Sequence, residues 1–179
     1  MSAPTIVCTG CGLSMPKRDS ARYDGGFHAS PECWEVFTEV LGKEFNDAVL
    51  FGQVHQLTVD AYAAQHAGSR HRDKSVVIHL CGLHLVLDRG QRPTSVPPLF
   101  QRLASNIKTW PHLSPPADLS AMTVFDVALA ESAQDHVRVV REWATFVWRG
   151  WSPHHEAIRN FVDEHLNLEA QGERRDTTA

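Results

Sequence analysis

Apolar residues follow two regimes along the chain. Residues 1–30 carry few of them and at no regular spacing. Beyond Ser30 they recur at helical intervals in one segment after another. Ser30-Pro31-Glu32 reads as a helix start, with a serine cap, a proline suited to the first position and an acid at the positive end of the dipole. It predicts a first helix to Phe45. A second is predicted over 50–66, stopped by Gly68 and followed by a polar loop over 67–73. Ser75–Leu87 (SVVIHLCGLHLVL) is apolar almost all round, the pattern of a helix buried on most sides, and Gly90 is placed to end it. A parallel strand is the competing reading, but the run is long for one.

Further on, Pro97–Lys108 predicts a shorter helix, and Trp110–Ser120, with Pro111, Pro115 and Pro116, a connecting loop. Thr123–Asp126 and Ser132–Asp135 each resemble a capping box, the second opening a long helix to Trp151. Ser152-Pro153 repeats the cap-plus-proline signal and predicts a last helix to Leu168, before a frayed tail. Within the first 30 residues, Asp24-Gly25 between aromatic residues predicts a small hairpin.

Composition adds exclusions. The 179 residues are 42% hydrophobic and 21% charged, ordinary for a globular chain. A net charge of -4 leaves no basic footprint and argues against nucleic-acid binding. No apolar run reaches the roughly 18 residues of a membrane span, and the start MSAPTIVCTG lacks a basic segment followed by an apolar one. A cytoplasmic protein without a membrane partner is therefore expected. In that compartment four cysteines read as thiols or metal ligands rather than disulfides. The eleven histidines call for an account of their own.

Cys8-Thr9-Gly10-Cys11-Gly12 admits three readings: a metal clamp, a redox pair or chance. A redox pair follows a strand and opens a helix, whereas no apolar strand is expected before Cys8, and Gly12 with Pro16 disfavours a helix after Cys11. A metal knuckle fits better, because two intervening residues let both sulfurs face one ion and the glycines permit the tight turn. Two further ligands are then required. Cys33 lies at a predicted helix N-terminus, which favours thiolate, and His28 stands five residues earlier. The order knuckle, hairpin, then ligands at a helix start resembles a treble-clef zinc finger. The expectation is a structural zinc held by Cys8, Cys11, His28 and Cys33, with Cys81 a small core residue.

The expected architecture is all-α: a five- to six-helix bundle with a small N-terminal treble-clef-like zinc motif. Residues 1–34 form the knuckle and hairpin running into the first helix, 35–168 the bundle, and 169–179 a flexible tail.

The remaining histidines sort by helix geometry. His55, Tyr62 and His66 fall within about 40° of one another on the second helix. His55 and His66 are roughly 16 Å apart along its axis, too far to share one ion. His136 lines up with Val140, Trp143 and Val147, and His154 with Ile158, Phe161 and His165, so both face inward. Buried imidazoles need a hydrogen-bond partner or a metal. They are either separate core histidines or a convergent second site. That second site would take one of His55 or His66 with His79, His136 and His154 or His155, near Asp60, Asp126 or Glu156. Trp143 and Trp151 read as core, and Trp148 as a pocket rim or contact.

CxxCG, HASPECWE (28–35), HQLTVDAYAAQH (55–66) and EWATFVWRGWSPHH (142–155) together resemble an uncharacterised bacterial family known as a domain of unknown function. The resemblance runs from Cys8 to Phe161 and implies that His28 and Cys33 belong with Cys8 and Cys11. It implies no activity or substrate. The functional expectation is a binding or regulatory module with a structural zinc, its partner a protein or a small molecule. The alternative is a metal-dependent hydrolase or transferase using the second, histidine-lined site.

Overall fold

The computed structural model describes residues 4–166 apart from 20, 22, 24, 69 and 70. The expected turn at Asp24, the end of the last helix at Leu168 and the tail 169–179 therefore lie wholly or partly outside the described residues. Two short strands, Thr5–Val7 (β1) and Ser14–Pro16 (β2), pair antiparallel with Ile6 opposite Met15. Helices follow at Pro31–Phe45 (α1), Ala48–Leu50 (α2), Gln56–Gln65 (α3), Asp73–Leu87 (α4), Pro97–Asn106 (α5), Val124–Ala128 (α6), Ala133–Gly150 (α7) and His155–Leu166 (α8). A π-helical turn, Phe51–His55, joins α2 to α3, and 3-10 turns lie at Pro93–Ser95 and Ser152–His154.

Local chemistry sets most of these boundaries. The Ser30 hydroxyl accepts the Cys33 N–H at 3.2 Å, and Pro31 occupies the first turn. Thr123 and Asp126 form a reciprocal capping box, and Ser132 caps the Asp135 N–H. Gly90 ends α4 at φ +66°, a conformation costly for any side chain. Where the pattern predicts one helix from residue 50, the Asp47 carboxylate takes the Val49 and Leu50 N–H groups and starts the helix earlier. The expectation that no strand precedes Cys8 is corrected by β1, too short to register as an apolar pattern. No helix follows Cys11, and Gly12 sits at φ +73°.

Helix α3 packs against α4 and α7, α1 against α6, and α4 against α8. Most of α3 is buried, which small side chains make possible: Ala61, Ala63 and Ala64 lie within it, and its Asp60 lies against Gly82 of α4. A Cβ at Gly82 would fall 2.1 Å from the Asp60 carboxylate, so glycine permits that approach. Trp143, Trp151, Tyr62, Leu57, Leu80 and Leu83 are wholly buried in one core that also contains Cys8, Cys11 and Cys33. Gln65 finds partners within it. The Gln65 amide donates to the Leu119 and Met122 carbonyls and accepts from the Trp143 indole, fixing the loop before α6 onto α3. Trp148, read from sequence as a rim residue, is buried, and its indole donates to Asp88. Among the described residues no helix is long and apolar enough to cross a membrane.

Candidate metal centre

Cys8 and Cys11 stand at the tip of the β1–β2 hairpin. The Cys8 N–H donates to the Leu13 carbonyl at 2.8 Å and the Gly12 N–H to the Cys8 carbonyl at 2.9 Å, curling the chain so that both sulfurs face inward. Cys33 enters from the first turn of α1, and its sulfur lies 3.7 Å from that of Cys11. The fourth member is His66, the residue that ends α3. Its Nδ1 donates to the Tyr62 carbonyl at 2.8 Å, and its Nε2 lies 3.4 Å from the Cys33 sulfur. The ring stacks on Tyr62 at 4.0 Å between centroids, and Tyr62 stacks in turn on Phe37.

These four donor atoms lie within 4.8 Å of one another, and all four residues are 0–1% exposed. Among the described residues this is the one group of three or more histidine, cysteine or acidic side chains so arranged. Hydrogen bonds with Cys11 and Cys33 drive the Cys8 thiol far below its ordinary range, while those to Cys11 and Cys8, with burial, drive Cys33 far above it. Three sulfurs this close resist ionising together, and a cation among them removes that conflict. Outer contacts hold the arrangement. The Ser30 N–H donates to the Cys8 sulfur at 3.4 Å and the Tyr62 hydroxyl to the Cys33 sulfur at 3.7 Å. A Cβ at Gly10 would come within 2.4 Å of the His28 carbonyl and 2.6 Å of the His66 ring, so glycine permits the closure. Donor chemistry, number and burial all fit a tetrahedrally held metal ion.

His28, expected as the fourth donor, stands outside this group. Its main-chain N–H donates to the His66 carbonyl at 2.9 Å, and its ring lies over Gly68. The backbone at 28 thus docks on the end of α3, which brings the ring of His66, not of His28, to the sulfurs. His66 is separated from Cys33 by 33 positions, and no local spacing links them. The available signal was its place beside Tyr62 just before the stop at Gly68.

The other candidate histidines lie outside the sulfur cluster. His55 and His136 share the wholly buried Glu44 carboxylate, at 3.0 and 2.9 Å, with the Thr58 hydroxyl donating at 2.6 Å. The π turn carries His55 to that contact. His79 bonds to Asp60 at 2.8 Å. His154 bonds to the Ser114 carbonyl, and His155 to the Trp148 carbonyl while stacking on its indole. Of the expected convergence of His55 or His66 with His79, His136 and His154 or His155, the fold brings together only His55 and His136, on Glu44, because His66 faces the sulfurs and the other rings meet nearer acceptors. Asp126 is engaged in its cap, and Glu156 is exposed. A cavity of about 360 Å³ opens at the start of α4, lined by His71, Arg72, Asp73, Val76, His112 and Leu113.

No curated protein and no solved structure is significantly similar to the chain. One family model matches residues 6–152, a span that includes all four clustered donors. The chain belongs to a family of unknown function, DUF5946.

Proposed function

We propose that this protein is a zinc-binding helical module, regulatory or ligand-binding in role, in which Cys8, Cys11, Cys33 and His66 hold one structural Zn²⁺. The observation that carries this reading is the closed donor set: four protein ligands, three of them sulfur, all buried. A catalytic zinc keeps a position open for water or substrate, and this arrangement leaves none. The zinc would clasp the hairpin to α1 and to the end of α3 in the manner of a treble clef. Three thiolates need a reducing compartment, which agrees with a cytoplasmic location. The other histidines, of which His55 and His136 meet on Glu44 while His79, His154 and His155 bond elsewhere, assemble no second group of three or more donors among the described residues, which supports a binding module over a metal-dependent hydrolase or transferase. The cavity at the start of α4 offers room for a small molecule.

Metal analysis of protein purified under reducing conditions tests this. One zinc per chain is expected, lost in Cys8→Ser and His66→Ala and retained in His28→Ala. A chain that binds no zinc, or one that loses it in His28→Ala and keeps it in His66→Ala, overturns the reading.

A further inference from the structure

The four donors divide two and two. Cys8 and Cys11 belong to residues 4–19, while Cys33 and His66 belong to the helices. Apart from its two cysteines, the segment 4–19 buries one apolar side chain, Met15. Its own secondary structure is two three-residue strands, and an isolated hairpin is marginal at best in water. Two of its polar ties to the rest are weak. The Thr9 hydroxyl reaches the His28 carbonyl at 3.4 Å, and the Arg18–Glu35 ion pair is solvent-exposed. The helices, by contrast, share a core of Leu57, Leu80, Leu83, Val140, Trp143 and Val147 supplied entirely by themselves.

One buried atom opposes closure. Glu32 is buried where the segment crosses α1. Its Oε1 accepts the Arg18 main-chain N–H at 3.1 Å, but its Oε2 is buried with no hydrogen-bond partner among the described residues. A buried acceptor left unpaired is costly, and lifting the segment would hydrate it.

We propose that residues 4–19 form a metal-dependent strap. With the ion bound, the strap is closed over Glu32, Cys33 and His66. With the ion withdrawn, it lifts as a unit and exposes those three side chains to solvent, while the helices stay folded. The inference rests on the metal reading above and makes the centre a device that converts metal supply into surface exposure.

Cys81 of α4, wholly buried and remote from the strap in sequence, supplies an internal reference. The full-length reduced chain is loaded with zinc, then exposed to a chelator in the presence of a maleimide, with labelling of each cysteine followed by mass spectrometry and helix content by circular dichroism. Before chelation all four thiols are expected to resist. After it, Cys8, Cys11 and Cys33 are expected to react together while Cys81 stays protected and the helical signal persists. Labelling of Cys81 in step with loss of helix would overturn the strap, because the ion would then support the whole fold. Continued protection of all three thiols after the zinc has left would overturn it as well. Failure to take up zinc at all would remove the metal reading itself and is seen before chelator is added.

Discussion

His66 gives its Nδ1 proton to the main-chain oxygen of Tyr62, four residues earlier in the same helix, at 2.8 Å. A carbonyl can only accept, so this bond sets the tautomer and turns the Nε2 lone pair toward the cysteine sulfurs. Removing the ring in His66→Ala is expected to lower zinc affinity by more than the roughly 10–100-fold typical of losing an outer partner. His66→Cys should retain the ion. Competition with a chromophoric chelator measures both. In Tyr62→Phe the stacking survives and a single 3.7 Å contact to Cys33 is lost, so a drop of less than about tenfold is expected.

Gly10 is required by space rather than by backbone angle. In Gly10→Ala the new methyl would meet the His28 carbonyl and the His66 ring, and both belong to the structure that carries the fourth donor. A loss of about 1–3 kcal/mol of zinc-loaded stability is expected, read by urea unfolding. Gly42, within α1 with nothing near its missing Cβ, is the contrasting site. Gly42→Ala should stabilise by about 0.5–1 kcal/mol.

The Glu44 carboxylate joins α1 to the π turn, α3 and α7 through His55, Thr58 and His136. Glu44→Ala would strand three buried or half-buried donors and is expected to cost about 3–5 kcal/mol in urea unfolding. Glu44→Gln keeps an acceptor oxygen for part of this network, so its cost should be clearly smaller. Equal losses in the two variants would show that bulk, not hydrogen bonding, is what Glu44 supplies.

Burial, with a smaller contribution from His79, depresses His71 from its usual 6.5 to about 4. Between these values the unfolded chain binds a proton that the folded chain refuses. His71 therefore leaves stability untouched above pH 6.5 and lowers it as pH falls toward 4, by up to about 3 kcal/mol. Asp60, raised by burial, acts with the opposite sign, so the test is a difference. Wild type minus His71→Gln, in denaturant unfolding across pH 4–7, should show stability lost on the acid side. A difference that does not vary with pH would refute the assignment.

The helices were legible because their signals are local. The cap at Ser30, the capping box at Thr123, the cap at Ser132 and the stop at Gly90 act within one or two turns of chain, so neighbouring residues suffice to read them. The π turn at Phe51–His55 was not legible. An extra residue in a helical turn leaves no mark on apolar spacing, and its reward is a contact between His55 and Glu44 on a different helix.

The candidate metal centre divides along the same line. Cys8, Cys11 and Cys33 could be read from residue type, close spacing and position at a helix start, which are properties of short segments. The fourth donor could not, since His28 and His66 are equivalent in type and only the docking of one backbone on the end of α3 selects between them. His136 lies on the buried stripe that its spacing predicts, whereas His154 falls in a 3-10 turn and is half-buried, because the inner face of α8 is Ile158, Val162 and Leu166 rather than Phe161 and His165. Which acceptor each ring meets, whether Glu44, Asp60, the Ser114 carbonyl or a cluster of sulfurs, depended on distances between helices, and those are settled by packing rather than by spacing along any one of them.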